Sequence, residues 1–326
     1  MRHDITIIGA AILDVLAGPI DHSIFEKGSL PMKHMNLSFG GDALNESVVL
    51  SQLGADVELI SKVGDDEAGK RVLDFLKEKG VATKINIEEG LETGINIVLI
   101  DDSGERRFLT NPESSLRKLR EEDIVTYLDE AGDIVCLASM FVSPLLDIKA
   151  MERLFQEIKK KSDRILVVDM TTAKRGESIA DIACLLKYVD YIIPNEIEAE
   201  RLTAEKDVYK NVKRFLEYGA SCVVIKRGKN GCLIKTHKQQ FEIPAYKDVK
   251  VMDTTGAGDS FVAGFIWGLK NKLPLKECGR FGCAVASCTV EEIGANGAIN
   301  SLDIPMKRYE EMSNNGICVE SVEKCS

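Results

Sequence analysis

Short apolar runs alternate with stretches of helical spacing along most of this chain. The run 5–9 is brief and apolar and reads as a first buried strand. Residues 43–53 carry apolar positions at helical spacing and stop at Gly54, 57–60 read as a strand, and 67–79 as a helix closed by Gly80. The texture changes at residue 93. Residues 93–100 alternate weakly, Asp101-Asp102-Ser103-Gly104 make a turn signal, and 106–110 return, which together predict a β-hairpin. From residue 121 the alternation is regular. Apolar runs at 134–137, 165–168, 191–193 and 222–225 are separated by helical patterns at 147–160, 177–187 and 207–218. Residues 231–243 predict a second hairpin turning at Lys238-Gln239, and two helices follow at about 258–270 and 275–292. From Ser301 the chain is polar and uneven and reads as a loosely held tail, 301–326.

This order predicts an α/β core with a mostly parallel sheet covered by helices on both faces, and a small β element inserted in the N-terminal half. Ligands of such sheets bind beyond the carboxyl ends of the strands, and a β element at those ends, from about 14–39 and 93–112, would cover the crevice as a lid.

Composition narrows the class. With 326 residues the chain can bury a substantial core, and its net charge of −10 argues against nonspecific binding to nucleic acid or to an acidic membrane surface. No run is long enough to span a bilayer, and the first residues lack the pattern of a signal peptide. Nine cysteines, an odd number without a Cys-x-x-Cys, predict free thiols in a reducing, cytoplasmic compartment. Cys136, Cys184 and Cys222 lie in apolar runs, and Cys278, Cys283 and Cys288 are too far apart around a helix to share one metal face. Four scattered histidines give little support to a zinc site or a histidine triad.

The chemistry concentrates at Asp253-Thr254-Thr255-Gly256-Ala257-Gly258-Asp259, directly before an apolar helix. Small residues and glycines there expose backbone N–H groups at a helix N-terminus, where the dipole favours an anion. A carboxylate inside such a turn repels the anion, unless Asp259 removes a proton from a hydroxyl that attacks a phosphoryl group held by the turn. The bland alternative is a first-turn acid at an ordinary helix start. The run is neither a P-loop, for want of a following Gly-Lys-Ser/Thr, nor a dinucleotide fingerprint.

A second cluster, Gly40-Gly41-Asp42-Ala43-Leu44-Asn45-Glu46-Ser47, precedes Gly54 and Gly64. Its glycines allow close backbone approach to a ligand, and Asn45 offers a donor and an acceptor to a hydroxyl. Alone it reads as a glycine turn with a local cap. Together the two clusters resemble the paired signature motifs of the ribokinase-like sugar kinases, the phosphofructokinase B family. Asp14 after the first strand, Pro194-Asn195-Glu196-Ile197-Glu198, and Lys226-Arg227-Gly228-Lys229-Asn230-Gly231 fall in the family's order, so the resemblance covers about residues 4–300.

The resemblance implies a three-layer αβα core with a mostly parallel sheet and a small β-sheet lid, over residues 1–300. It implies Asp259 as base and the amides of Gly256, Ala257 and Gly258 as anion hole for the transferring phosphoryl group. Asp14, Gly40, Gly41 and Asn45 would hold the sugar. Lys226, Gly228, Thr254, Gly256 and Gly258 would line the ATP site. Asn195 and Glu198 would organise Mg2+ indirectly, although Glu198 alone reads as a first-turn acid. Asp253 and Thr255, with the loop around Gly294, match a monovalent-cation site, K+ in many relatives.

The expected activity is transfer of the γ-phosphoryl group of Mg-ATP to a hydroxyl of a small fructose- or ribose-like sugar. A nucleoside kinase of the same fold and a non-catalytic sugar- or nucleotide-binding regulator are the alternatives. Arg106 and Arg107 on the lid hairpin read as solvated, with reach to an acidic substrate as the other reading. No nucleic-acid or membrane partner is expected, and a homodimer through the lid is.

Overall fold

The computed structural model describes residues 2–101, 106–314 and 319–321. In chain order the strands are β1 (Ile5–Ile8), β2 (Ile12–Ile20), β3 (His34–Gly40), β4 (Val57–Gly64), β5 (Ala82–Glu88), β6 (Ile95–Asp101), β7 (Arg106–Thr110), β8 (Ile134–Met140), β9 (Ile165–Met170), β10 (Tyr191–Ile193), β11 (Cys222–Lys226), β12 (Cys232–Thr236), β13 (Gln240–Ile243) and β14 (Val319–Ser321). Ten of them form one sheet in the order β14-β13-β12-β11-β10-β9-β8-β1-β4-β5. Neighbours from β11 to β5 run parallel, and β12, β13 and β14 are added antiparallel. β1 lies between β4 and β8, with Ile5 in register with both Val57 and Ile134.

The apolar runs exist because this sheet is buried on both faces. Successive residues of β11 point to opposite sides, so Cys222 and Val224 enter one core while Val223 and Ile225 enter the other. On the first side lie the helices Asp42–Gln52, Ala257–Lys270 and Leu275–Thr289, through Leu44, Val48, Phe261, Phe265, Phe281 and Val285. On the second lie Ile148–Ile158 and Val208–Glu217, through Met151, Leu154, Phe155, Val212 and Phe215. Each such side chain stabilises the fold by about 1.5–3 kcal/mol when fully buried, which makes the carboxyl edge of the sheet a rigid platform. This is the ribokinase-like three-layer α/β fold.

The remaining strands make a four-stranded sheet, β3-β2-β6-β7, from the two segments expected to form a separate β element. The turn expected at 101–104 lies, past Asp101, outside the described residues. Register across the strands aligns Val15 with Leu37 and Ile97, Ile97 with Leu109, and Ala17 with Met35. That outer face is apolar and exposed: Met35 is 68% exposed and Leu109 54%. The other face aligns Asp14 with Ser38 and Asn96 and also carries Arg106, with Leu16 and Val98 buried among them. The Asn296 side-chain amide donates to the Phe39 carbonyl at 2.8 Å and ties this sheet to the loop around Gly294.

Two local expectations change. Of 177–187 only Ala183–Leu186 is α-helical. Ser178 N and Oγ both donate to Asp181, and Ile179 N donates to the Leu202 carbonyl, so this backbone is satisfied outside a helix. The C-terminal segment is not loose throughout, because Asp303–Asn314 is a helix. Met306, Tyr309 and Met312 pack on the first core, the Tyr309 ring meets the edge of Phe281 at 5.8 Å, and its hydroxyl donates to Glu277 at 2.8 Å. Its apolar stripe is sparse, which hid the helix among charged neighbours. No helix among the described residues is long and apolar enough to cross a membrane.

Candidate active site

Residues from distant segments meet beyond the carboxyl ends of the parallel strands. The helix Ala257–Lys270 begins at Gly256, which has φ +72°, and no side chain caps it. Only glycine suits that position: besides the positive φ, a Cβ there would stand 2.4 Å from the Ala295 Cβ. The first-turn N–H groups are thus left to an anion. Asp259 lies in that turn. Asn45 Nδ2 donates to Asp259 Oδ2 at 2.6 Å and joins the two sequence motifs across 214 positions. Asn45 Oδ1 is buried without a protein partner, so the amide has an acceptor to offer.

Asp259 is tuned toward base chemistry. Burial pushes its carboxyl up to about 6, the Asn45 bond and Lys226 pull it down, and the Asp169 charge pushes it up. Lys226, at the end of β11, lies beside the turn: a Cβ on Gly258 would be 3.6 Å from its Nζ. It binds Asp169 Oδ1 at 2.6 Å. Burial disfavours its charge, but Asp169 and Glu198 outweigh that and hold its pKa above the ordinary value. Lys226 is therefore a fixed cation at the floor of the anion site, not a solvated strand end.

The residues expected to hold the sugar converge too. Asp14 Oδ1 accepts from Asn96 Nδ2 at 3.0 Å, and Gly40 leaves room for this carboxylate, because a Cβ there would stand 2.1 Å from Asp14 Oδ2 and displace it. Gly41 has φ +94°, and a Cβ on it would meet the Ala10 carbonyl oxygen at 2.5 Å. Burial raises the Asp14 pKa, while Asn96 and Arg106 oppose the rise.

Asn195 and Glu198 form a reciprocal cap at the start of the helix Glu196–Thr203. Asn195 Oδ1 accepts from Glu198 N at 2.9 Å and Glu198 Oε2 accepts from Asn195 N at 2.7 Å. This cap satisfies the plain structural reading, yet burial also pushes Glu198 up to about 7. Gly228 and Thr254 are exposed, Gly228 at φ +52° in an open turn, and neither contacts Asp259. Asp253 is buried. Burial works against its ionisation, but donors from Gly294, Thr255 and Arg106 outweigh it and hold the carboxyl below its usual range.

Sequence reasoning passed over three residues and read a fourth, Arg106, as solvated. Asp169, an acid closing the apolar run of β9, pairs with Lys226. Glu46, wholly buried one residue after Asn45, takes the Cys136 thiol on one oxygen at 3.2 Å and has no partner on the other. Asn96 orients Asp14. Arg106 is not solvated: Nη2 lies 2.6 Å from Asp253 Oδ1, with the side chain 19% exposed. Period-2 alternation in the hairpin, which sets residue 106 on the face of Asn96, was the available signal for it.

A family model described as pfkB family carbohydrate kinase matches residues 2–302. An uncharacterized sugar kinase of Archaeoglobus fulgidus is 32% identical over 262 residues, which is 78% of this chain and 99% of that protein. Among solved structures, Arabidopsis thaliana ribokinase complexed with ribose and ATP superposes with TM-score 0.80 at 21% identity, over 95% of this chain and 99% of that one. An E. coli protein provisionally named ribokinase II, in complex with ATP and Mg2+, superposes with TM-score 0.81 at 20% identity over 95% and 99%. The chain belongs to the pfkB family of carbohydrate kinases, phosphotransferases with an alcohol group as acceptor.

Proposed function

We propose that this pfkB-family kinase transfers the γ-phosphoryl group of Mg-ATP to a hydroxyl of a small neutral sugar of the fructose or ribose kind. The observation that carries the reading is the 2.6 Å bond from Asn45 to Asp259 beside an uncapped helix N-terminus. In this reading Asp14, Asn96 and Asn45 hold the sugar hydroxyls. Asp259 takes the proton of the attacking hydroxyl as its oxygen bonds to the γ-phosphorus and the bond to ADP breaks. The amides of Gly256, Ala257 and Gly258, with Lys226 behind them, stabilise the charge that builds on the phosphoryl oxygens. Gly228 and Thr254 face the nucleotide. ATP as donor is supported by the neighbours from Arabidopsis and E. coli, whose structures contain it.

Among the described residues no three or more His, Cys, Asp or Glu side chains are arranged to hold a metal by themselves. Glu198 nonetheless suits an indirect role. Its buried carboxyl is pushed up to about 7, and a nearby cation would favour its ionised form. Mg2+, when bound with ATP, supplies charge neutralisation at the phosphates, and Glu198 with Asn195 would hold its water shell.

The smaller sheet acts as the lid, its Asp14 and Asn96 face over the sugar and its exposed apolar face covered by a second copy in a homodimer. The free cysteines, Cys136 and Cys222 among them, support a reducing cytoplasmic location. One observation favours an acidic sugar as the second reading. Lys174 supports it: burial and its neighbour Arg117 lower its basicity, and it stands in a cleft beyond β8 and β9 whose wall mixes Arg117, Lys118, Lys149 and Arg175 with Glu113, Asp147, Glu177 and Asp181. The test is ADP release with Mg-ATP across neutral sugars, sugar acids, sugar phosphates and nucleosides. Release with neutral ketoses or aldoses supports the reading, release only with acids or phosphates selects the second, and release only with nucleosides replaces both.

A further inference from the structure

Asp253 is the point where the catalytic turn, a neighbouring loop and the smaller sheet meet. Its Oδ1 accepts from Thr255 N at 2.9 Å and from Thr255 Oγ1 at 2.8 Å. Its Oδ2 accepts from Gly294 N at 2.8 Å. The same Oδ1 faces Arg106 Nη2 at 2.6 Å, from the first residue of β7. Both oxygens are therefore committed, and the negative charge is matched by a guanidinium held in place. Arg106 Nη1 is buried as well and has no protein partner.

These contacts bear on the monovalent cation expected at Asp253 and Thr255. Such an ion would need lone pairs of a carboxylate that already serves four donors. It would also sit against a fixed positive charge, and like charges at contact distance repel. The donor set does not fit the ion.

We propose that the Arg106 guanidinium does the work a monovalent cation would do at this turn. It neutralises Asp253 and fixes the turn against the loop around Gly294. Because Arg106 stands on the smaller sheet, it also couples closure of that sheet to assembly of the anion hole. Nη1 is left for an oxygen of the arriving ligand. The positive charge is thus brought by the lid, and the site is complete without K+. The proposal rests on the kinase reading for its consequence in turnover, and its geometry stands apart from it.

The test compares wild type, Arg106→Ala and Arg106→Lys in potassium chloride and choline chloride at equal ionic strength. The first readout is the melting temperature of the full chain without substrate. The wild type should melt alike in both salts, while Arg106→Ala should gain a K+-specific rise of about 1–3 °C once the ion exceeds its dissociation constant severalfold. The second is ADP formation. The wild type should differ by less than about twofold between the salts, and Arg106→Ala in choline should lose about 10- to 100-fold and recover in part with K+ or guanidinium ion. Arg106→Lys, which keeps the charge, should stay independent of K+ and serves in place of the alanine variant should that fail to fold. Wild-type insensitivity together with a cation-dependent gain in Arg106→Ala in either readout, or retained independence in Arg106→Lys where that variant stands in, supports the proposal, and any other pattern overturns it. Absence of ADP release by the wild type with every acceptor would instead count against the kinase reading, and the melting comparison would still decide the role of Arg106.

Discussion

The ten-stranded sheet and the four-stranded sheet obey the same pleat and use it in opposite ways. In the large sheet both faces are apolar, and consecutive residues of β11 feed two separate cores. In the small one the inward face mixes polar Asp14, Ser38, Asn96 and Arg106 with buried Leu16 and Val98, while Met35, Leu37, Ile97 and Leu109 stand exposed outside. A half-buried sheet ordinarily keeps its apolar side chains away from solvent. The large sheet is stabilised by its own helices, whereas the exposed apolar side chains of the small sheet fit the proposed contact with a second copy. On the proposed reading the large sheet carries the chemistry and the small sheet governs access and the charge around it.

The largest expected effect breaks the chemical half. Asp259→Asn should lower kcat by about 10²- to 10⁴-fold with ATP affinity changed little, the usual range for a positioned base. The same substitution should not lower stability at pH 8. Burial raises the native pKa of Asp259 from 3.8 to about 6, so ionising it costs stability as pH rises through that window, and the cost persists above it. Steady-state kinetics and thermal melts of the two proteins check both statements; unchanged kcat would remove Asp259 from the role.

The pH profile sharpens the same half. The base works ionised, so kcat/KM should fall with acid below about 6 and level off above it. At one unit below the midpoint the loss is about tenfold. A flat profile between pH 5 and 8 contradicts the assignment. Asn45→Ala, which deletes a donor that holds the Asp259 pKa down, should move this limb to higher pH and raise the sugar KM by about tenfold or more. A rise in the KM for ATP alone would place Asn45 on the wrong side of the site.

How far these residues could be read from the chain follows from the contrast between the sheets. The runs of the large sheet are continuous because both faces are buried, so β8, β9 and β11 stood out at their centres. β9 and β11 run one or two residues further than expected because Asp169 and Lys226 are charged residues inside strands, and β8 runs three further, to Met140, past the positive-φ Ser139. The glycine turn at 253–259 was legible because Gly256 answers a local backbone demand. Arg106 and Asn96 were not, since the weak alternation sets them on one face but nothing local marks that face as the one turned inward. Their roles depend on register with β2 and on contact with Asp253, far away in the chain. Glu46 was hidden in the same way, as a charged residue on a helix whose partner, Cys136, lies on β8.

The smallest effect on chemistry tests the outer face of the small sheet. Leu37→Lys combined with Ile97→Lys should shift a homodimer to monomer in light scattering while the fold is kept, because the two positions flank Val15 on an exposed surface. Each lone surface change should alter folding stability by less than about 0.5 kcal/mol. A wild-type protein that is monomeric at all working concentrations would leave the apolar face to another partner.

The central claim is that the turn at 253–259 carries a base and an anion hole that move a phosphoryl group onto a sugar hydroxyl. Following the phosphorus by 31P NMR, with wild type, Mg-ATP and the best acceptor of the panel, tests it most directly. The account predicts that the γ-phosphate signal is replaced by a phosphomonoester of the sugar, and that Asp259→Asn leaves the ATP signals unchanged over the same time. Inorganic phosphate as the main product, or the same phosphomonoester formed by Asp259→Asn at the wild-type rate, would contradict it.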